Sequence, residues 1–390
     1  MRADPARPVQ LWLLALITIS GTLAMHIFVP ALPHAAQDFG ASAGVVQLTL
    51  STYIAGLALG QLTYGPVSDR YGRRPALIVG MIIYAIASLA AMLAPTIGLL
   101  IAARLFQAIG GCAGLVLGRA IVRDRTTGKD TARNLSLLNL MVMAGPGLSP
   151  LVGSALAETT GWRSIFAAVS LLGLFNLLLI LRRLPETAPR RGNARPLALG
   201  SYRFLLGSRT FLGLAFGGAC ATTSIYAFIG AAPFIFVAQL HRPSYEVGPY
   251  LTVTIVGAWF GSLAASRLIG RIPTRRLMEL GNLLSCASAA AFLLLVLSGW
   301  LSVASTLVPM LALTFGAGIA SPTALAESMG VNPQIAGSAS GLYGFAQMSI
   351  GAACTTLGAV GGNPALAAAA VLLAAGLLAQ AAFGLARRAS

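Results

Sequence analysis

Charge is scarce in this chain. Of 390 residues only 9% are Asp, Glu, Lys or Arg while 57% are hydrophobic, whereas a soluble domain keeps about a quarter of its residues charged to wet its surface. A soluble globular protein is excluded, and most of the surface has to face lipid. Acids are the rarest charges, 10 against 26 Lys and Arg, giving a formal net charge of +16. Such an excess suits nucleic acid only where the basic residues cluster on one wet face with stacking aromatics, and here they fall in short loops between apolar runs. No nucleic-acid partner is expected. The three histidines, His26, His34 and His241, lie far apart, and Cys112, Cys220, Cys286 and Cys354 sit in apolar stretches without pairing or ligand spacing. Neither a metal site, a catalytic residue nor a bound cofactor is expected, so the chain does not read as an enzyme; a receptor-like scaffold would need an added signalling domain, which the sequence does not contain.

Apolar runs, by contrast, are abundant. Crossing hydrocarbon takes about 20 apolar residues per helix, and such runs fall at about 10 to 32, 45 to 66, 76 to 94, 97 to 122, 134 to 157 and 163 to 182. After a polar stretch they resume at about 210 to 237, 247 to 268, 276 to 298, 301 to 323, 336 to 360 and 364 to 386. The expected fold is an all-α membrane protein of twelve transmembrane helices: a six-helix half over residues 1–182, a cytoplasmic linker over 183–209 and a second six-helix half over 210–390. The first run follows Arg2 and Arg7, is too long for a signal peptide and has no cleavage site after it, so it reads as an uncleaved first span. Every Lys and Arg falls on one side of the membrane if the loops alternate, apart from Arg163 and Arg242 on the other side and Arg104 and Arg119 inside the fourth run. The positive-inside rule then places both termini in the cytoplasm.

The two halves are related. Gly60, Leu62, Arg70, Arg74 and Gly80 align without gaps to Gly261, Leu263, Arg271, Arg275 and Gly281, an offset of 201 residues. Both segments fall around the loop between the second and third helices of their half, where duplicated transporter halves should agree.

Several motifs carry a family resemblance. Gly65-Pro-Val-Ser-Asp69-Arg70-Tyr-Gly72-Arg73-Arg74 resembles the signature loop of the major facilitator superfamily. Arg104-Leu-Phe-Gln107-Ala-Ile-Gly110-Gly111 and Ala144-Gly145-Pro146-Gly-Leu-Ser-Pro150 resemble the fourth- and fifth-helix motifs of its drug:proton antiporters. Val29-Pro30-Ala31-Leu32-Pro33, Gly118-Arg119-Ala-Ile-Val-Arg123-Asp124, Gly161-Trp162-Arg163 and the Ala336–Gln347 segment are similar to the Bcr/CflA-type (bicyclomycin/chloramphenicol resistance) efflux proteins. The resemblance implies a monomeric transporter of the bacterial inner membrane, exchanging small organic solutes for protons by alternating access. The proton gradient is then the driving force.

Each motif also has a physical reading. Gly72 permits a tight turn, and Asp69 can accept from a helix N-terminus or pair with an arginine of a neighbouring helix. Together with Arg70, Arg73, Arg74, Arg123 and Asp124 it would form a gating clasp, although the arginines equally serve topology. Gly145, Pro146 and Pro150 weaken the ladder of the fifth helix and admit a close neighbour, giving a flexible gating element. Arg104, within a span, is costly unless it meets a partner or a wet cavity; Arg119 nearer the helix end can also snorkel. The Bcr/CflA resemblance implies aspartate where this chain has His26, and no acid falls near the middle of a run, Glu327 and Glu279 being closest to an end. Proton coupling is therefore expected at His26, Arg104 or Glu327. Candidate substrate contacts are His26, Tyr53, Arg104, Gln107, Arg119, Asn139, Tyr226, Phe228, Trp259, Tyr343 and Gln347. A cavity bearing arginine but no carboxylate favours anionic, zwitterionic or neutral solutes. Uptake or uniport of an anionic metabolite or metallophore is the alternative function.

Overall fold

The computed structural model describes residues 10–126, 128–188, 199–332 and 335–389; within these, the side chains of a few helix residues, Asn139 among them, lie outside the description. Ten helices among the described residues are long and apolar enough to cross a membrane: α1 (Leu11–Phe39), α2 (Ala43–Tyr71), α3 (Arg73–Met92), α4 (Ile97–Arg125), α6 (Arg163–Arg183), α7 (Arg209–Gln239), α8 (Ser244–Leu268), α9 (Thr274–Leu297), α10 (Val303–Gly330) and α12, which runs Pro364–Ala389. Two further long helices, α5 (Gly128–Thr159) and α11 (Ala336–Gly358), complete the twelve. Helices satisfy every backbone polar group within one segment, the condition for crossing hydrocarbon. The all-α, twelve-helix expectation holds. Of the expected linker, residues 189–198 lie outside the described residues, and a short helix, Leu199–Gly207, precedes α7.

Several helices outrun their apolar stretch. α1 continues through a 3₁₀ turn at Val29–Ala31 into Leu32–Phe39 and stops at Gly40, whose φ of 57° is left-handed. Pro33 lies in the first turn of this last segment, where its missing N–H costs nothing. α5 remains helical through both Pro146 and Pro150, and α7 ends in a π-helical turn, Ile235–Gln239.

The chain divides into two compact units, one of Met1–Phe28 with Thr52–Leu197 and one of Val29–Ser51 with Ala198–Ser390. In the first unit α4 is the central packing element. Gly56 and Gly60 of α2 face it, and a Cβ at Gly56 would lie 2.6 Å from the Leu105 carbonyl oxygen while one at Gly60 would lie 2.5 Å from Cys112 Cβ. Gly80 of α3 faces Gly110, where a Cβ would lie 2.6 Å from the Gly80 carbonyl oxygen. α1 approaches the same helix through Gly21 and Gly111, and meets α5 at Gly145 and Gly153.

The second unit repeats this framework around α10. Gly257 would carry a Cβ 2.6 Å from the Leu311 carbonyl oxygen, Gly261 abuts Phe315 and Gly318, and Gly281 would carry one 2.7 Å from the Gly316 carbonyl oxygen. The α2/α8 and α3/α9 glycines keep the offset of 201 read from the sequence, and their partners on α4 and α10 are offset by 206. The aligned glycines are therefore the sites of backbone-to-backbone approach, and Gly56–Gly257 adds a pair that the five aligned identities did not include. In the second unit, α9 and α12 are further joined by Asn282 Nδ2, which donates to Gly376 O at 3.0 Å and Gln380 Oε1 at 2.8 Å.

Lipid gives helices no hydrophobic drive to associate, so close small-residue contacts carry the packing. Gly110→Ala would press a methyl against backbone atoms, Tyr84 N at 2.5 Å and Gly80 O at 2.6 Å, whereas Gly98 on the same helix meets nothing within 4 Å. Overpacking of this kind costs about 1–3 kcal/mol. Thermal unfolding in detergent is expected to show Gly110→Ala several degrees below the parent and Gly98→Ala unchanged; equal Tm values for the two variants would contradict this packing.

Candidate functional site

Two polar clusters in the first unit contain most of the residues singled out from its sequence. The inner one centres on Arg104, which is fully enclosed. Its Nη1 donates to the Ala24 carbonyl of α1 at 2.9 Å and to Gln107 Oε1 at 2.6 Å. The Arg104–Gln107 spacing of one helical turn puts both on the same face of α4. Gln107 Nε2 in turn donates to Ser88 of α3 at 2.8 Å, and Ser88 donates to the Tyr84 carbonyl. The guanidinium carbon lies 4.0 Å from the Tyr53 ring centroid, 5.5 Å from Phe28 and 5.7 Å from Phe166. Phe28, Phe166 and Trp162 pack on one another with centroids 4.8–6.0 Å apart. The Tyr53 hydroxyl donates to Gly21 O at 2.7 Å, fixing the ring that covers the cation.

A buried cation without a counter-ion is expensive. Among the described residues no carboxylate meets Arg104, and its Nε and Nη2 have no hydrogen-bond acceptor. The charge is instead met by two oxygen acceptors and three ring faces. Hydrogen bonds to a charged group contribute about 1.5–3 kcal/mol, and a desolvated cation–π contact about 2 kcal/mol or more. His26 is buried on α1, two residues beyond Ala24, with Nδ1 2.8 Å from the Thr22 carbonyl. As the donor in that bond, Nδ1 holds the hydrogen and leaves Nε2 as the nitrogen that gains or loses a proton. Sequence reasoning found Arg104, Gln107, His26 and Tyr53 but missed Ser88, Tyr84, Phe28 and Phe166. It also missed Asn176 of α6, whose Nδ2 donates to Ser20 at 2.7 Å while Tyr84 Oη donates to Ser20 O. Arg119, four turns along α4, has an exposed side chain and does not join this cluster.

The outer cluster forms at the α2–α3 turn, where Gly72 takes a φ of 104°. Arg73 is its hub: Nη1 contacts Asp69 at 2.5 Å and Ser68 Oγ at 2.5 Å, and Nε contacts Asp124 of α4 at 3.0 Å. Asp69 is 62% exposed, whereas Arg73 and Asp124 are 12% and 14% exposed. Glu186, which follows α6, caps α3. Its Oε1 accepts from Arg73 N and its Oε2 from Arg74 N, at 2.9 and 3.1 Å, while Arg74 Nη2 donates to Leu181 O. The helix N-terminus is thus held by Glu186, and among the described residues Asp69 is engaged by Arg73. No local pattern announces this cap, because it comes from 113 residues away. Arg70 sits by the Tyr71 ring, and Arg123 is exposed.

In the second unit, Gln347 Nε2 donates to Thr222 at 2.8 Å and the Thr223 hydroxyl donates to Gln347 O, tying α11 to α7. Tyr226 lies one turn further along α7, its ring against Gly351. Tyr343 and Phe228 are core residues, Tyr343 against Gly218 and Phe228 edge-on to Phe292 at 6.2 Å. Trp259 is exposed on α8, and Glu327 is half-buried near the end of α10. Of these four, Tyr343 lies beside the Gln347–Thr222 pair, one turn before Gln347 on α11 with its hydroxyl near Thr222. The Asn139 side chain lies outside the described residues.

The family model "Major Facilitator Superfamily" matches residues 14–356. The chain belongs to the Major Facilitator Superfamily. It is 32% identical over 345 residues to multidrug resistance protein D of Escherichia coli (strain K12), covering 86% of this chain and 85% of that protein. It is 26% identical over 350 residues to the bicyclomycin resistance protein homolog of Haemophilus influenzae, covering 87% and 86%. These relatives bear out the drug:proton antiporter, Bcr/CflA-type resemblance. The fold matches the xylose transporter XylE from E. coli in a partially occluded inward open conformation, with a TM-score of 0.75 at 14% identity over 95% of each chain. As a member of the superfamily the chain is a multi-pass membrane transporter of small molecules, not an enzyme.

Within this superfamily member the two clusters make separable predictions. Asp69 is solvent-screened, so its pair with Arg73 contributes about 0–1 kcal/mol, whereas the enclosed Arg73–Asp124 bond contributes about 1.5–3 kcal/mol. Double-mutant cycles on Tm are expected to give the larger coupling to Arg73/Asp124; a larger coupling for Arg73/Asp69 would reverse the ranking. At Arg104 the position equivalent by the 206 offset is Met310, also fully enclosed. Replacing a buried charge by an apolar side chain of similar volume is often neutral or stabilising. Arg104→Met is expected to hold or raise Tm while lowering solute flux in proteoliposomes at least tenfold; undiminished flux would make Arg104 a packing residue only.

Proposed function

We propose that this transporter exports small organic solutes from the cytoplasm of a bacterium across the inner membrane in exchange for protons, with both termini cytoplasmic. It works as a monomer and needs no bound cofactor, the proton gradient supplying the drive. The observation that carries export is near full-length similarity to proteins named for drug resistance. Alternating access suits this fold. The enclosed Arg104, met by uncharged partners, supports anionic, zwitterionic or neutral substrates over lipophilic cations. Gln107, Tyr53, Gln347 and Tyr226 are the polar groups best suited to orient such a solute, and the Arg73 clasp is the gate.

His26 is the proton carrier in this reading. A hydrogen fixed on Nδ1 by the Thr22 carbonyl leaves Nε2 to exchange a proton, which suits imidazole to that task where the branch has an aspartate. One observation favours a second reading: with histidine in place of a carboxylate beside Arg104, the interior suits an anionic metabolite or metallophore, taken up or moved passively.

Proteoliposomes under an imposed pH gradient, with luminal pH followed on adding neutral, cationic and anionic solutes, test both. Exchange predicts proton movement opposite to solute that vanishes in His26→Ala and returns in His26→Asp. Proton movement in the same direction as solute would support uptake. Solute flux without proton movement, unchanged in His26→Ala, would end the proton-coupled reading, and a lipophilic cation as best substrate would end the charge argument.

A further inference from the structure

The first unit contains a second basic feature, away from Arg104 and the Arg73 clasp. A cavity of about 220 Å³ opens where the start of α1 meets the ends of α4 and α6. Three arginines surround it, Arg125 as the last residue of α4 and Arg182 and Arg183 as the last two of α6. Its floor is apolar, formed by Leu13 of α1 and Ile121, one turn below Arg125. No acid lines it. Among the described residues none of the three arginines forms an ion pair. The nearest acids in sequence are committed elsewhere: Asp124, next to Arg125, pairs with Arg73, and the two oxygens of Glu186 accept from the backbone N–H groups of Arg73, Arg74, Thr187 and Ala188. Thr187 also lines the cavity, and its hydroxyl has no hydrogen-bond partner among the described residues.

Two helix C-termini contribute roughly half a negative charge each at this point, which three guanidiniums outweigh. The site therefore keeps net positive charge over an apolar floor. That combination fits a group with a phosphate at the helix ends and hydrocarbon one turn deeper. Basic pockets between membrane helices at one interface suit anionic headgroups, and arginine forks pair phosphate oxygens bidentately. Trp12, 46% exposed with its ring 5.7 Å from the Arg183 guanidinium, adds an interfacial anchor beside the opening. We propose that this cavity binds the phosphate headgroup of an anionic phospholipid of the adjoining leaflet, with Arg125, Arg182 and Arg183 as cationic partners and Thr187 as a hydroxyl donor. Free phosphate shares the headgroup chemistry but gains nothing from the Leu13–Ile121 floor.

Thermal unfolding and native mass spectrometry of the purified full-length protein, with phosphatidylglycerol, phosphatidylcholine or inorganic phosphate added, test the assignment. Phosphatidylglycerol is expected to raise Tm by several degrees and to remain bound in the mass spectrum, and the other two to do neither. Combined Arg125→Gln, Arg182→Gln and Arg183→Gln substitution should weaken phosphatidylglycerol binding at least tenfold, whereas Arg267→Gln, Arg271→Gln and Arg276→Gln, removing equal charge elsewhere, should leave it unchanged. Should the first combination fold poorly, Thr187→Val alone should lower the affinity severalfold and combined Arg182→Lys and Arg183→Lys should retain most of it. Equal binding in the Arg125/Arg182/Arg183 variant, or equal loss in both combinations, would overturn the site. Protection by inorganic phosphate that is lost with the same three arginines would replace the lipid by a free anion.

Discussion

Helix association in lipid lacks the release of water that drives packing in soluble cores, and this chain meets that constraint by bringing backbones into direct approach. Gly80 against Gly110 and Gly281 against Gly316 leave no room for a methyl group. Everything else depends on those contacts. With α3 fixed against α4, Ser88 reaches Gln107 and, through it, the Arg104 guanidinium. With α2 fixed against α4 at Gly56 and Gly60, the Tyr53 ring covers the same cation. A wider separation of these helices would leave an arginine buried among groups too distant to solvate it.

The same economy of acids shapes the turn between α2 and α3. Asp69, Asp124 and Glu186 are three of only ten acids in the chain. Two converge on Arg73, and the third caps α3 from beyond α6. Ends of α2, α3, α4 and α6 are thereby joined by one arginine side chain and one helix N-terminus. These ties, one through the exposed Asp69 and one through the mostly enclosed Asp124, lie at the helix ends, at a different level along the helices from the glycine contacts.

Much of this was legible in the sequence, and what was not has a physical reason. Twelve apolar runs gave the span count because hydrocarbon thickness imposes a length, and the Gly60–Gly261 and Gly80–Gly281 matches marked contact points because only glycine fits there. Helix ends were less legible: α1 runs on to Phe39 past Pro30 and Pro33, and α10 to Gly330 past Pro322, since a proline in a helix held by its neighbours need not end it. Arg104 announced itself by its cost, but its carbonyl and aromatic partners lie as far as 80 residues away and have no local signature. Hydropathy also cannot tell which way an aromatic points. Phe228 and Tyr343 turned out to be core residues and Trp259 an exposed one, although all three carry the same apolar signal.

Comparing the two units separates what the scaffold requires from what one half has acquired. The offsets that superpose the glycine contacts place Met310, Leu313 and Thr254 in the second unit where the first has Arg104, Gln107 and Tyr53, and all six are buried. The second unit thus builds the same helix contacts around a small, mostly apolar filling. Packing alone therefore does not call for a cation at Arg104. A buried charge retained where an apolar neighbour in the same framework suffices must be balanced by something other than stability, because its desolvation is unfavourable whatever the scaffold. In the second unit polarity lies elsewhere, at Gln347 with Thr222 and Thr223 and at Asn282 with Gln380. The duplicated framework shares its backbone contacts and differs in its polar groups, so it is those groups, and not the packing, that distinguish one unit from the other.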